Sequence, residues 1–126
     1  MYSIKTVSCE EINDIKEKYN NLVYEIDGKN INTINDYFDE IYNMLGFPQY
    51  NKYSYDAYVD WMRDDYFKYN PIVFIINNYQ FFLKDYPKEK QIIIDIFNED
   101  IIPYWNNKKA TMGDKTEFIV YLVNDN

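Results

Sequence analysis

The stretch Ile72-Val73-Phe74-Ile75-Ile76 constrains this chain more than any other. It is apolar without interruption, rich in β-branched residues and of strand length, and the absence of alternation means that neither side of the strand faces water. A strand buried on both faces belongs inside a sheet covered on both sides, as parallel strands linked by helices are. A second run of the same kind, Phe118-Ile119-Val120-Tyr121-Leu122-Val123, follows near the end of the sequence. Leu22-Val23-Tyr24-Glu25-Ile26 is also strand-like and is stopped by the turn signal Asp27-Gly28.

Helical patterns separate these runs. Ser8-Cys9-Glu10-Glu11 has the form of a capping box, and Ile12, Ile15 and Tyr19 follow at helical spacing, predicting a helix over 9–20 that ends at Asn20-Asn21. Thr33 caps a second helix whose apolar face is Ile34, Phe38, Ile41, Tyr42 and Leu45, closed by Gly46 and Pro48. Residues 46–53 form a loop rich in rings. Ser54 caps a third helix running to about Asp65, with carboxylates in its first turn. A short helix is expected over 78–84. Pro87 then opens a longer one containing Ile92, Ile93, Ile96, Phe97 and Ile101, limited by Pro103 and followed by a polar segment from Asn106 to Asp114. Strands separated by helices predict an α/β domain with a three-stranded parallel sheet and right-handed crossovers. At 126 residues, with no internal repeat or linker, the chain is expected to be a single domain, 1–126.

Charge narrows the partners. With 21 acidic against 13 basic residues and no histidine, the net charge is -8. Nucleic acid and anionic membranes call for a cationic face, so neither is an expected ligand. A basic protein is the partner this charge would steer, unless the acidity serves solubility alone. Cys9 is the only cysteine, which excludes an intrachain disulfide, and no apolar run has the length of a membrane span. The first residues lack an export-type apolar segment, so a cytoplasmic location is expected. Many of the rings are tyrosines, 15 in all, which suit cores and interfaces alike and so do not by themselves mark a binding surface.

Catalysis has little to work with. Without histidine there is no Ser-His-Asp site, and one cysteine cannot build a zinc centre. Three glycines supply no phosphate-cradling loop. What remains is the acidic pattern of the third helix, where Asp56, Asp60 and Asp64 recur every four residues and so share a face. Like charges at that spacing repel, which asks for compensation. The pattern admits three readings: a solvated face, a carboxylate pair able to act chemically, or an acidic docking face.

The sequence Ile26-Asp27-Gly28, then Ile31 and Ile34, then Leu45-Gly46-Phe47-Pro48-Gln49-Tyr50, then Tyr55-Asp56-Ala57-Tyr58-Val59-Asp60, resembles the barstar family of intracellular ribonuclease inhibitors. The likeness continues through Pro71 and the apolar strand after it, the helix containing Phe97 and Glu99, and the last strand. It covers residues 22–123 and leaves 1–21 as an N-terminal extension with an extra helix, expected to cover a sheet edge. The resemblance implies a three-stranded parallel sheet packed with helices, and a loop plus helix that plug the cationic active site of a ribonuclease. Residue by residue, it implies contacts from Tyr50, Asp56, Ala57, Asp60 and Glu99. Val59 stands where the family prototype has a tryptophan, Lys52 where its loop has a glycine, and Asn51 where it has a second tyrosine, so the target-facing surface differs.

The combined expectation is a non-enzymatic immunity-type inhibitor without cofactors, monomeric when free. Its partner would be a secreted basic ribonuclease or related toxin, gripped by Tyr50, Tyr53, Asp56, Ala57, Val59, Asp60 and Glu99. Two alternatives stay open. One is an enzyme holding a divalent metal on Asp56, Asp60 and Glu99. The other is a general interaction domain for a cationic protein.

Overall fold

In the computed structural model, which describes residues 3–112 and 116–124, the chain is a parallel sheet with helices on both faces. Strands β1 (Ile4–Ser8), β2 (Tyr24–Asp27), β3 (Ile72–Asn77) and β4 (Phe118–Asn124) lie in the order β1-β4-β3-β2. The two uninterrupted apolar runs are therefore the inner strands, paired in the register Phe74 with Val120 and Ile75 with Tyr121. Alternation along β3 and β4 divides the molecule. Phe74, Ile76, Phe118, Val120 and Leu122 face the main core, and Val73, Ile75, Ile119, Tyr121 and Val123 face the other side.

The sheet has four strands, not the three expected. The additional one, β1, comes from the N-terminal extension and pairs in parallel with β4, from Ile4 opposite Val120 to Ser8 opposite Asn124. Its sequence Ile-Lys-Thr-Val-Ser is short and partly exposed, as an edge strand is, and carries no turn signal. The extension thus adds a whole strand beyond the former edge, and α1 (Ile12–Lys18) does not cover that edge but lies on the second face. There Ile12, Ile15 and Tyr19 cover the apolar residues of β3 and β4.

The predicted capping box does form: Ser8 N–H donates to Glu11 Oε1 (3.0 Å) and Glu11 N–H to Ser8 Oγ (3.3 Å). It closes a turn between β1 and the helix, so regular helix begins at Ile12, later than expected. The chain leaves α1 through Asn20 and Asn21, both at positive φ, a conformation asparagine tolerates better than most residues.

On the main-core side lie α2 (Ile34–Leu45), α3 (Tyr55–Met62), α4 (Pro87–Ile96) and α5 (Ile102–Met112). In α2, Thr33 Oγ1 accepts from Asp36 N–H and the Asp36 carboxylate accepts from Thr33 N–H. Of the expected apolar face of α2, Phe38, Ile41, Tyr42 and Leu45 are buried, joined by Tyr37, while Ile34 in the first turn is only partly buried. Gly46 ends the helix in the left-handed conformation at φ 72°. The segment expected as a short helix at 78–84 is a single 3-10 turn, Tyr79–Phe81, followed by buried Phe82 and Leu83.

Pro103 does not end the long helix. A π-helical segment, Phe97–Ile101, follows α4 and leads directly into α5. Pro103 thereby lies inside continuous helix just after the π-helical segment, whose wider bonding, with the Ile102 N–H donating to the Phe97 carbonyl, carries the helix past a residue that has no N–H to give. The polar segment from Asn106 is consequently helical as far as Met112; the rest of it falls in 113–115, outside the described residues. Among the described residues no helix is long and apolar enough to cross a membrane.

Candidate functional site

The acidic helix begins as its sequence requires. Ser54 Oγ accepts the N–H of Ala57 (3.4 Å), which caps α3 at Tyr55. Tyr58 and Met62, one turn apart, are fully buried and anchor the inner face. The Tyr58 hydroxyl meets that of Tyr37 on α2 at 2.5 Å, inside the core. With that face turned inward, Asp56 and Asp60 point to solvent from the opposite side, while Ala57 and Val59 are half-buried at the flanks.

The helix is shorter than expected, and this changes the acidic pattern. It ends at Met62 with Arg63 as its cap, so Asp64 and Asp65 lie in the following turn and not on the face shared by Asp56 and Asp60. The reason is tertiary: the Trp105 indole N–H, from α5, donates to the Met62 carbonyl at 2.9 Å and satisfies a group that another helical turn would use.

The aromatic loop is held at three places. Phe47 is buried, in edge contact with Tyr42 and Tyr66. Tyr50, which is 67% exposed, leans edge-on against Trp61 of α3 with ring centroids 6.1 Å apart. Tyr53, 55% exposed, donates its hydroxyl hydrogen to Asp39 Oδ1 on α2 at 2.9 Å. Lys52 pairs with the same oxygen at 2.8 Å, its ammonium also lying 5.2 Å from the Tyr53 ring centroid. The hydrogen bond from Lys52, helped by that from Tyr53, holds the Asp39 carboxyl below the ordinary aspartate range, and the same bond raises the Lys52 ammonium.

Asp60 is engaged from its own helix end: Arg63 Nη2 donates to its Oδ1 at 3.3 Å. Glu99 is exposed on the π-helical segment, which packs against α3. The structure therefore sets Tyr50, Ala57, Val59 and the outward pair Asp56 and Asp60 on one continuous loop and helix, with Tyr53 between them and Glu99 on a neighbouring element. It does not gather a ligand set: among the described residues no group of three or more His, Cys, Asp or Glu side chains could hold a metal ion, so Asp56, Asp60 and Glu99 do not converge as the metal reading needs.

Sequence reasoning missed Arg63, Asp39, Trp61 and Tyr104. Arg63 was legible as a cation three positions after Asp60. Asp39 was not, because its partner Tyr53 lies 14 positions away in a different element.

A family model described as barstar (barnase inhibitor) matches residues 21–121, which takes in the chain from just before β2 into β4 and leaves out β1 and α1. A search of the curated proteins finds no match. A match that spans residues 21–121, most of the chain, shows that this chain belongs to the barstar, or barnase inhibitor, family.

Proposed function

We propose that this chain is an immunity-type inhibitor that covers the cationic active site of a basic ribonuclease or related toxin with α3 and the loop before it. The family acts by inhibiting ribonucleases and not by catalysis. The observation that carries the finer reading is the outward presentation of Asp56 and Asp60 on a helix anchored by buried Tyr58 and Met62, next to two exposed tyrosines. Carboxylates held in this way take the arginine or lysine side chains that would otherwise bind substrate phosphates, with charge-assisted and, for arginine, bidentate hydrogen bonds. Tyr50 and Tyr53 add rigid aromatic area at small entropic cost, Ala57 and Val59 fill between the carboxylates, and Glu99 adds a charge at the rim.

The experiment is titration of barnase, as the probe ribonuclease, with this chain while RNA cleavage is followed. Inhibition is expected, and Asp60→Ala should weaken it by at least ~2 kcal/mol, the hot-spot threshold for which the barnase–barstar pair is itself an established instance and from which the magnitude is taken over. The same substitution should leave the melting transition within about 0.5 kcal/mol, because Asp60 is exposed. Inhibition indifferent to Asp56 and Asp60 would overturn the assignment of the site.

A further inference from the structure

Arg63 stands on the proposed docking face with the wrong charge for it. Its guanidinium donates to Asp60 at 3.3 Å from one side and lies 5.6 Å from the centroid of the Tyr104 ring, on α5, from the other. Neither contact takes it out of water: the Arg63 side chain is 38% exposed and that of Asp60 70%. The carboxylate offered to a partner is thus already occupied in part by a guanidinium of the chain itself. Asp56, one turn earlier, makes no ion pair among the described residues. The two aspartates that look equivalent in sequence are therefore unequal.

We propose that Arg63 is a specificity-determining residue, which competes for Asp60 and selects a partner carrying a carboxylate beside the cation that Asp60 receives. The proposal rests on the reading of α3 as the docking face. When that face is covered, Arg63 loses water from its remaining N–H donors, and a guanidinium cannot relieve the cost by giving up a proton. A partner surface bearing cations alone repels it and leaves those donors unpaired, which counts against that partner. A partner with an acceptor at this place exchanges pairs: its carboxylate takes Arg63, its cation takes Asp60, and every charge stays matched. Tyr104 limits the alternatives by holding the guanidinium near the face, so that swinging away into solvent gives up the ring contact as well.

The test uses the full chain and two synthetic peptides, an oligoarginine and a peptide of equal length in which some arginines are replaced by aspartate, with binding followed by calorimetry. Arg63→Gln should tighten the oligoarginine complex by about 1.5- to 5-fold, the range an exposed ion pair carries, and should tighten the mixed peptide less. Arg63→Lys, which keeps the charge, should gain less than Arg63→Gln. In an Asp60→Asn background the gain from Arg63→Gln should shrink, because the competition for that carboxylate is gone and only the repulsion between Arg63 and the peptide remains. A gain undiminished in that background would show a general charge effect alone and overturn the proposal, as would equal gains on the two peptides or no binding by any variant. Failure of the inhibitory reading registers separately, as absence of barnase inhibition, since the peptides probe the pair without a ribonuclease.

Discussion

At the scale of single residues, the docking surface depends on groups that never reach it. Tyr58 and Tyr37 are both fully buried and satisfy each other hydroxyl to hydroxyl, which is what keeps the inner face of α3 inward. Tyr58→Phe strands the Tyr37 hydroxyl and should cost about 1–3 kcal/mol by denaturant unfolding, while the double replacement by phenylalanine should cost less than the two single changes added together. Burial disfavours the phenolate and raises the pKa of both hydroxyls above the ordinary tyrosine range. The sign follows from linkage: a phenol whose folded value is raised contributes stability that is intact below the ordinary tyrosine value of 10.0 and is lost as pH climbs through the higher folded one. Alkaline titration of wild type against the double variant checks this, with the difference in stability changing only in that alkaline window. The pattern of Asp56, Asp60, Tyr58 and Met62 was legible from helical spacing. That Tyr58 would find Tyr37 was not, since the two lie 21 positions apart.

At the scale of elements, the aromatic loop behaves as an attachment of α2. Asp39 receives both Lys52 and Tyr53 on one oxygen, and so fixes the end of the loop that leads into the Ser54 cap. Asp39→Ala should leave the helices intact by circular dichroism yet weaken inhibition, because the loop must then be ordered at the moment of binding. Asp39→Asn, which retains an acceptor for the Tyr53 hydroxyl, should recover part of the loss. The acid side of the pH profile gives a second check. The depressed Asp39 value means that the loop anchor is complete above the ordinary 3.8 and is lost as pH falls below it, through the folded value. Binding by Asp39→Ala should lack that acid-limb component. The extension plays a comparable supporting part on the other face, where Ile12, Ile15 and Tyr19 of α1 keep Val73, Ile75, Ile119, Tyr121 and Val123 dry while β1 moves the sheet edge outward.

For the whole molecule, the net charge of -8 acts at a distance that no single contact does. Between about 0.01 and 0.15 M ionic strength the Debye length falls from ~30 to ~8 Å. Association with barnase, followed by stopped flow, should slow by at least ~10-fold over that range while dissociation changes far less, as steered encounters do and as the barnase–barstar pair itself exemplifies. Asp64→Asn removes a charge from the turn after α3 and should lower the association rate modestly without altering dissociation. A rate indifferent to salt would assign the acidity to solubility. The face itself is of mixed sign, since Lys52 and Arg63 both stand on it, each bound to a carboxylate of this chain.

What the sequence alone determined were the features governed by rules of short range. The uninterrupted runs specified the two central strands, the Thr33 and Ser54 caps placed the starts of α2 and α3, Pro87 opened α4, and the order of these pieces carried the family resemblance. Such signals act over three or four neighbouring residues and survive in any context that lets the chain fold. The tertiary structure decided the rest. Trp105 ends α3 at Met62 from 43 positions away, taking Asp64 off the acidic face, and Tyr104 beside it steadies Arg63. A π-helical segment carries the chain past Pro103, and β1 becomes a strand because β4 offers it an open edge. In each case a weak local preference yields to a buried hydrogen bond, a packed ring or a paired strand edge. Those free energies exist only once distant segments have met.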